Sequence, residues 1–407
     1  MKTGNYRILK HPITSQKKVT ITFDGKKYGA YKGESLASAL IAHNIKVVGR
    51  SFKYHRPRGL LSIGSEEPNG LFRMGTGPKI EPNISATQIE VYDGLVVESQ
   101  NRWPSLNFDF GAINSIFSKL IPAGFYYKTF MWPSSMWEKY EWFIRHAAGL
   151  GKAAEEHQDP DRYEHINYHC DILIAGGGLS GLIAAYISGL SGARVVIADE
   201  KPELGGNLLY EDDITIDGSK GSSWAKKIEQ ELEEMENVRI LKRSCVFGYH
   251  DHNFITISER CSDHLARPPS NLPRQRLWKV RSKQVLLAQG MHERPQVISG
   301  NDIPGVMLSS AVRGYINKFG VLPGKTAVIA TNNDDAYRTA ITLHKAGIKV
   351  LAIVDSRNEN NNDLLKTLKK YNIRIFTGHV VSSIHGKKSV KSVEVAPLAE
   401  DGKDISA

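Results

Sequence analysis

The segment that most constrains the fold is Gly-Gly-Gly-Leu-Ser-Gly at residues 176–181. It follows Asp-Ile-Leu-Ile-Ala at 171–175, which is typical of a short buried strand, and it precedes a segment with helical spacing of apolar residues. Strand, glycine turn and helix in this order predict a dinucleotide-binding fold, whereas the glycine spacing alone would be weak evidence. Gly176 allows the tight turn, Gly178 leaves space for a pyrophosphate, and Gly181 lets helix and strand pack closely.

A second strand and an acidic pair follow the predicted helix. Residues 194–198 (Arg-Val-Val-Ile-Ala) predict the strand, and Asp199 and Glu200 come directly after them. A carboxylate about 20 residues beyond the glycines is the usual partner of the adenosine ribose. Because the two acids would repel a 2′-phosphate, the sequence favours NAD or FAD over NADP. A glycine turn without a ligand is the alternative, and the agreement of strand, glycines, helix and acid argues against it.

Two further glycine positions are candidates for contact with the same ligand. Gly206 closes the sequence Glu-Leu-Gly-Gly, in which paired glycines allow a loop to pass over a dinucleotide. Gly290 ends an apolar run that begins at Val285, so it would bring backbone close to the cofactor. An ordinary turn at Gly206 and a plain strand exit at Gly290 remain as alternatives.

The carboxy-terminal part carries a second α/β pattern. It consists of a strand at 326–330, a helix at 335–346 and a strand at 349–355. The turn after its first strand lacks glycine, and Asp334 and Asp335 would oppose a pyrophosphate. We predict a nucleotide-like fold with an altered pocket.

The first 80 residues predict a small α+β domain. Residues 18–23 alternate between apolar and polar side chains, and Asp24-Gly25 is a strong hairpin signal before a returning strand at 26–31. Apolar residues at helical spacing follow from Leu36, and a further strand would begin at Val47.

Charge is concentrated in the same region. The first 80 residues hold 15 Lys or Arg and 4 Asp or Glu, and the remaining 327 hold 38 and 39, so the net charge of +10 comes from this segment. A basic domain can attract an anionic partner or a phosphorylated ligand. Since the segment contains no known nucleic-acid-binding motif, we expect no nucleic acid partner.

Composition excludes several classes of protein. Hydrophobic residues make up 41% and charged residues 24%, as in packed globular proteins. No apolar run reaches about 18 residues and the amino terminus has no apolar signal region, so we expect neither a membrane span nor secretion. The three cysteines, Cys170, Cys245 and Cys261, are too few for a disulfide framework, which favours the cytoplasm. No metal site is expected.

Between these regions lies a segment rich in aromatic residues. It contains Trp103, Phe108, Phe110, Phe117, Phe125, Tyr126, Tyr127, Phe130, Trp132, Trp137, Tyr140, Trp142 and Phe143. It packs inside the molecule or forms a partner surface, where aromatic residues are enriched. We therefore divide the chain into a small α+β domain (1–100), an aromatic connector (101–168) and a dinucleotide-binding domain (169–407).

Several longer motifs show a specific resemblance. They are Gly-Arg-Ser-Phe-Lys-Tyr-His-Arg-Pro-Arg-Gly at 49–59, Glu-Glu-Pro-Asn at 66–69, Asn-Arg-Trp-Pro-Ser at 101–105 and Ala-Gly-Phe-Tyr-Tyr-Lys-Thr-Phe at 123–130. With the glycine fingerprint, they make the chain similar to the alpha subunits of heterotetrameric sarcosine oxidases.

The resemblance implies a ferredoxin-like β-grasp domain without iron–sulfur ligands, followed by a Rossmann-type domain that binds NAD. No cysteine precedes Cys170, so thiolates for a cluster are absent from the first domain. Carried over by position, the resemblance assigns Ser180 to the pyrophosphate turn, Asp199, Glu200 and Lys201 to the adenosine ribose, Asn207 to the loop after the paired glycines, and Val246 to the adenine edge. No catalytic residue is assigned.

The resemblance also implies an activity and partners. The complex would demethylate sarcosine oxidatively to glycine, hydrogen peroxide and 5,10-methylenetetrahydrofolate, together with beta, gamma and delta subunits. FAD and FMN would lie mainly on the partner subunit. Family members continue into a tetrahydrofolate-binding domain, whereas this sequence ends at Ala407, so we do not expect folate binding by these residues. The alternatives are the alpha subunit of an opine or amine dehydrogenase or of a cyanide-forming glycine oxidase, and a scaffold subunit without catalytic function.

Overall fold

The computed structural model describes residues 2–120, 132–147, 149–358, 363–399 and 405. The chain forms two compact units. Unit 1 comprises Met1–Gln158 together with Glu293–Ala407, and unit 2 comprises Asp159–His292. Each unit has hydrophobic cores of its own.

The amino-terminal part of unit 1 contains a five-stranded β-grasp sheet and a small hairpin. Its strands are β1 (Lys18–Phe23), β2 (Lys26–Tyr31), β3 (Gly49–Arg50), β4 (Pro57–Arg58), β5 (Leu71–Met74), β6 (Glu81–Ser85) and β7 (Val96–Ser99). The sheet order is β2-β1-β7-β5-β6, in which β1 and β7 are parallel and the other neighbours antiparallel, while β3 pairs with β4. The predicted Asp24-Gly25 hairpin is confirmed, with φ of 46° and 74° at its two residues.

One short helix completes the core of this sheet. Helix α1 (Leu36–Ala42) is buried along its whole length, and the Ser35 side chain caps its first turn by accepting from the Ser38 amide. Leu36 and Leu40 pack with Ile21 and Phe72 of the sheet. The helix predicted from Leu36 is confirmed, whereas the strand predicted at Val47 begins at Gly49.

His43 makes the stability of unit 1 depend on pH. Its Nε2 donates to the Gly29 carbonyl at 2.8 Å, and burial lowers the pKa of the imidazole below its ordinary value of 6.5. As the pH falls through 6.5, the unfolded chain takes up a proton before the folded chain does, so the free energy of unfolding decreases. We expect His43→Gln to flatten this slope between pH about 7.5 and about 5 in urea denaturation. Equal slopes for both proteins would contradict this prediction.

The segment after the β-grasp sheet exposes much of its apolar surface. It contains short 3₁₀ turns and the helix α2 (Trp137–Ala147). Its exposed large side chains are Trp103, Phe108, Phe110, Ile113, Ile116, Phe117, Trp132, Trp137 and Trp142. Phe125, Tyr126, Tyr127 and Phe130, which the sequence analysis included in this aromatic cluster, lie outside the described residues. We call residues 103–117 the aromatic surface.

Unit 2 is a six-stranded sheet with helices α3 (Leu179–Leu190) and α4 (Gly221–Glu233). The strands of unit 2 are β8 (Tyr163–Ala175), β9 (Val195–Ala198), β10 (Thr215–Ile216), β11 (Ser219–Lys220), β12 (Val238–Leu241), β13 (Ser244–His250), β14 (Phe254–Arg260) and β15 (Gln275–Leu287). The large sheet has the order β12-β9-β8-β15-β14-β13 and is parallel from β12 to β15. Strands β13 and β14 add an antiparallel meander, and β10 pairs with β11.

Residues 293–407 contribute a second α/β arrangement to unit 1. Their elements are helices α5 (Ser309–Asn317), α6 (Asp335–Lys345) and α7 (Leu364–Lys370) and strands β16 (Thr326–Thr331), β17 (Lys349–Asp355), β18 (Ile375–Thr377), β19 (His379–Gly386) and β20 (Val390–Pro397). Strands β16, β17 and β18 form a parallel sheet, and β19 pairs with β20. The predicted strand–helix–strand pattern is confirmed.

The end of β17 is closed by side chains of the chain itself. The fully buried Asp355 carboxylate accepts from the Tyr337 hydroxyl at 2.6 Å and from the Arg357 guanidinium at 2.7 Å. Burial alone would raise the pKa of Asp355, but Arg357 and Tyr337 outweigh burial and lower it. Arg357 also pairs with Asp334 at 2.7 Å. Within the described residues, no helix is long and apolar enough to span a bilayer.

Candidate dinucleotide-binding site

The glycine turn, residues 176–178, joins β8 to α3. Gly176 in this turn and Gly181 in α3 have almost no room for a side chain. Gly176 has a φ of +108°, and a Cβ built there would lie 2.3 Å from the Ala288 carbonyl oxygen. A Cβ on Gly181 would lie 1.9 Å from the Gly176 carbonyl oxygen. These distances explain why glycine is needed for the turn and for the close approach of helix α3 to the strand.

Gly178 differs from these two because its surroundings are open. A Cβ built there meets only the Gly206 Cα, at 4.0 Å, and Gly178 has an ordinary φ of −72°. The fold therefore does not need glycine at this position. The first turn of α3 has no side-chain cap, so its amides are directed into the space beside Gly178. Open space bounded by two glycines and a helix N-terminus fits a pyrophosphate.

The loop after β9 lies against the glycine turn. The Gly205 amide donates to the Gly177 carbonyl at 2.7 Å, and Gly205 and Gly206 have φ of +124° and +53°. The structure therefore brings Gly206 beside Gly178, as a loop that passes over a dinucleotide requires. Asn207 begins the exposed side of this loop.

Asp199 is turned inward at the end of β9. Its Oδ2 accepts from the Gly177 amide at 2.7 Å, and its Oδ1 accepts from the Lys201 amide at 2.8 Å. Burial raises the pKa of this carboxyl, although the two backbone amides act in the opposite direction. The carboxylate thus ties the acidic end of β9 to the glycine turn.

This contact predicts a structural effect of Asp199. We expect Asp199→Ala to lower the free energy of unfolding of unit 2 by about 1–3 kcal/mol without any ligand, because the partly buried Gly177 and Lys201 amides lose their acceptor. Urea denaturation of the ligand-free protein measures this loss. A carboxylate that served the ribose alone would leave the ligand-free stability unchanged, and that result would contradict a role in holding the turn.

Glu200 and Lys201 occupy the bend that follows. Burial lowers the pKa of the Lys201 ammonium, but Tyr210 and the two acids outweigh burial and raise it, and the ammonium lies 4.8 Å from the centre of the Tyr210 ring. The negative charge of Glu200 contributes to a raised pKa of Cys245, after the larger effect of burial on that thiol. The Glu200 side chain therefore lies near the start of β13.

The start of β13 is joined to the acidic bend by hydrogen bonds that the sequence analysis did not find. The Ser244 amide donates to the Asp199 carbonyl at 2.7 Å, and the Arg243 amide donates to the Lys201 carbonyl at 3.0 Å. The Arg260 guanidinium donates to the Glu200 carbonyl at 3.1 Å. These contacts place Val246, two residues further along β13 than Ser244, near the acidic bend at 199–201. No local pattern around residues 243–260 signals them, because they depend on the meander.

The remaining predicted positions, Ser180 and Gly290, lie at the exposed edge of the candidate site. Ser180 is exposed in the first turn of α3. Gly290 is exposed, has a φ of +75°, and a Cβ there would meet nothing within 4 Å. Strand β15 ends at Leu287, so Gly290 lies beyond the strand that was expected to deliver it. Within the described residues, no three His, Cys, Asp or Glu side chains are grouped so that they could hold a metal ion.

Two family models match parts of the chain. Residues 16–102 match a 2Fe-2S iron-sulfur cluster binding domain, and residues 171–254 match an FAD dependent oxidoreductase. The first range covers the β-grasp sheet, and the second covers the glycine turn, the acidic bend and β13.

Comparison with known proteins extends the similarity over most of the chain. Sarcosine oxidase subunit alpha of Rhizobium meliloti (strain 1021) is 47% identical over 394 residues, which are 96% of this chain and 39% of that protein. The corresponding subunit of Corynebacterium sp. (strain U-96) is 33% identical over 95% of this chain and 36% of its own length. The chain thus spans less than two fifths of the length of these curated relatives. L-proline dehydrogenase from P. horikoshii shares the fold, with a TM-score of 0.57, 20% identity, and coverage of 93% of this chain and 57% of that one.

Proposed function

We propose that this chain, a homologue of sarcosine oxidase subunit alpha over 96% of its own length, is the NAD-binding part of an oxidase subunit that acts on a CH–NH donor. The open cradle at Gly178 is the observation that carries the proposal. The open space adjoins Gly206 and the uncapped N-terminus of α3, in a turn whose first glycine, Gly176, is required by the fold.

The residues of unit 2 then have distinct roles. Gly178, Gly206 and the first-turn amides of α3 around Ser180 and Gly181 hold the pyrophosphate. Asp199 fixes the turn through the Gly177 amide, which leaves Glu200 and Lys201 for the adenosine ribose. Asn207, Val246 and Gly290 complete the rim of the site. When bound, NAD supplies a nicotinamide ring that can accept a hydride, and we assign these residues only to its binding.

Charge supports NAD over NADP. Asp199 and Glu200 are next to the ribose position, where a 2′-phosphate would meet two carboxylates. FAD shares the adenosine diphosphate half, and the match to an FAD dependent oxidoreductase keeps it as the competing ligand. Equilibrium dialysis of the purified chain with NAD, FAD and NADP tests the proposal. NAD is expected to bind at least about tenfold more tightly than NADP, and retention of FAD instead of NAD would overturn the assignment.

The β-grasp domain is proposed to have a structural role without a cluster. The segment 16–102 that matches the cluster-binding model contains no cysteine, and thiolates are the usual ligands of such clusters. We keep the functional division into a β-grasp domain (1–100), an aromatic connector (101–168) and an FAD/NAD(P)-binding domain (169–407) as part of this proposal.

The partners follow from the homology and from the aromatic surface. Trp103, Phe108 and Ile116 are exposed by 68%, 61% and 75%, and exposed apolar patches of this kind mark protein–protein contacts. We propose that the chain assembles with beta, gamma and delta subunits of a sarcosine oxidase, with FAD and FMN mainly on the partner. The complex would convert sarcosine, oxygen and tetrahydrofolate into glycine, hydrogen peroxide and 5,10-methylenetetrahydrofolate.

Co-expression tests the assembly and the activity separately. Co-purification of this chain with a beta subunit, followed by an assay for hydrogen peroxide with sarcosine, is expected to give an active complex. Turnover of octopine or nopaline without turnover of sarcosine would instead support an opine dehydrogenase. An intact complex that contains no dinucleotide by mass spectrometry would support a scaffold.

A further inference from the structure

Unit 1 contains a cavity that the dinucleotide site does not use. Its volume is about 310 Å³, and it is formed by the 49–59 motif together with residues around Asn69, Asn101 and Asp302. Its apolar wall consists of Phe52, Leu61, Pro68, Leu71, Ile303 and Val306. A cavity of this size can hold a small organic molecule.

Arg58 lines this cavity, and not all of its guanidinium N–H groups are engaged by a protein acceptor. Its side chain is only 20% exposed, and its Nη1 lies 2.6 Å from Asp302 Oδ2. Among the described residues, this carboxylate is its one ion-pair partner, and no hydrogen bond engages Nε or Nη2. Guanidinium N–H groups that have no protein acceptor are available to a ligand or to water.

The charges around the cavity leave an excess of one cation. The exposed Arg56 also approaches Asp302 Oδ2, at 3.0 Å, so two guanidinium groups share one carboxylate. Arg50 also lines the cavity, but its guanidinium donates to the Leu106 carbonyl and faces the buried Asp109 carboxylate at 3.9 Å. The charge of Arg50 is therefore balanced elsewhere, and that of the Arg56–Arg58 pair is not.

We propose that this cavity binds a small molecule that carries an oxyanion, a carboxylate or a phosphate ester, on an apolar body. The free Nε and Nη2 of Arg58 form a planar fork that matches two oxygens of such a group. The apolar wall contacts the rest of the molecule. Asp302 competes with the ligand for the same guanidinium groups, so it sets the affinity by repulsion as well as by orienting Arg58.

The test is calorimetric titration of the full chain, saturated with NAD, with phenyl phosphate, benzoate and inorganic phosphate. Arg58→Gln is expected to weaken binding of phenyl phosphate or benzoate by about tenfold or more, and Arg58→Lys by less, because it keeps the charge but loses the fork. Asp302→Asn is expected to strengthen binding several-fold, since it removes the competing carboxylate. Tighter binding of phenyl phosphate than of benzoate assigns a phosphate ester, and the reverse order assigns a carboxylic acid.

Arg73→Gln is the matched control. It removes a positive charge from β5 of the same unit, where Arg73 forms an exposed pair with Glu98, and it leaves the cavity unchanged. The proposal is overturned if Arg58→Gln and Arg73→Gln weaken binding equally, or if Asp302→Asn weakens it. Equal affinity for phenyl phosphate and inorganic phosphate would also overturn it, because the apolar wall would then contribute nothing. Circular dichroism of each variant separates loss of binding from loss of fold.

Discussion

Replacing Gly178 by alanine is expected to reduce NAD affinity by at least about 100-fold, or about 2.7 kcal/mol, while the fold keeps its stability. The added methyl group meets only the Gly206 Cα at 4.0 Å, and the φ of −72° suits any residue. The protein can accommodate it, but the methyl group then occupies the space offered to the pyrophosphate. Calorimetric titration with NAD and thermal unfolding of the ligand-free protein measure the two effects.

Gly181→Ala is expected to lower the stability of the ligand-free protein, which Gly178→Ala does not, so the ligand-free stability distinguishes a glycine needed for folding from one needed only for binding. Its Cβ would lie 1.9 Å from the Gly176 carbonyl oxygen, so α3 must move away from β8. Overpacking of this kind costs about 1–3 kcal/mol of unfolding free energy. Gly324→Ala in unit 1, whose Cβ makes an ordinary contact of 3.5 Å, is the neutral control. Unchanged NAD affinity in Gly178→Ala would remove Gly178 from the site.

The second large effect concerns a buried ion pair in unit 1. Arg7 and Glu34 are exposed by only 2% and 0%, and two parallel hydrogen bonds of 2.8 Å join the guanidinium to the carboxylate. Glu34 Oε2 also accepts from the Tyr31 amide at 2.8 Å. Glu34→Ala leaves a buried guanidinium without its counter-charge, so we expect a loss of about 3–5 kcal/mol of unfolding free energy in urea denaturation.

Two comparisons make this prediction specific. The double variant Arg7→Met with Glu34→Met is expected to lose less than the two single variants combined, because no unpaired charge remains. Arg73→Gln, which breaks the exposed pair with Glu98, is expected to cost at most about 1 kcal/mol. A similar small loss for Glu34→Ala would show that water reaches Arg7 in the variant.

The sequence predicts those parts of the fold that depend on residues close to one another in the chain. The Asp24-Gly25 turn requires positive φ at both residues, and both residue types tolerate positive φ. The hairpin can therefore be predicted from these two residues. The glycine turn is predictable because Gly176 and Gly181 each meet a steric need of the adjoining strand and helix. Strand β8 extends back to Tyr163, eight residues before the predicted start at Asp171, since its first half pairs with β15 and depends on a distant partner.

In the candidate site, too, the sequence does not predict the direction of side chains or their distant partners. The sequence indicates that an acid follows β9, but it does not indicate that the Asp199 carboxylate accepts from the Gly177 and Lys201 amides. The link from Arg260 to the Glu200 carbonyl, and the pairing of Arg58 with Asp302, join residues that only the folded chain brings together. Direction of a side chain and long-range pairing are properties of packing, and no local pattern encodes them.

The hydrogen bonds of the buried Asp355 carboxylate predict how many dinucleotides one chain binds. In the proposed site of unit 2, Glu200 and Lys201 follow the acid and remain for the ribose, whereas after β17 Arg357 and a tyrosine of the same unit are both bonded to the Asp355 carboxylate. The second α/β arrangement is therefore not expected to bind a second dinucleotide. A saturation curve with adenine dinucleotide should level off at one equivalent per polypeptide, so a second equivalent would reveal that the tyrosine and arginine can be displaced.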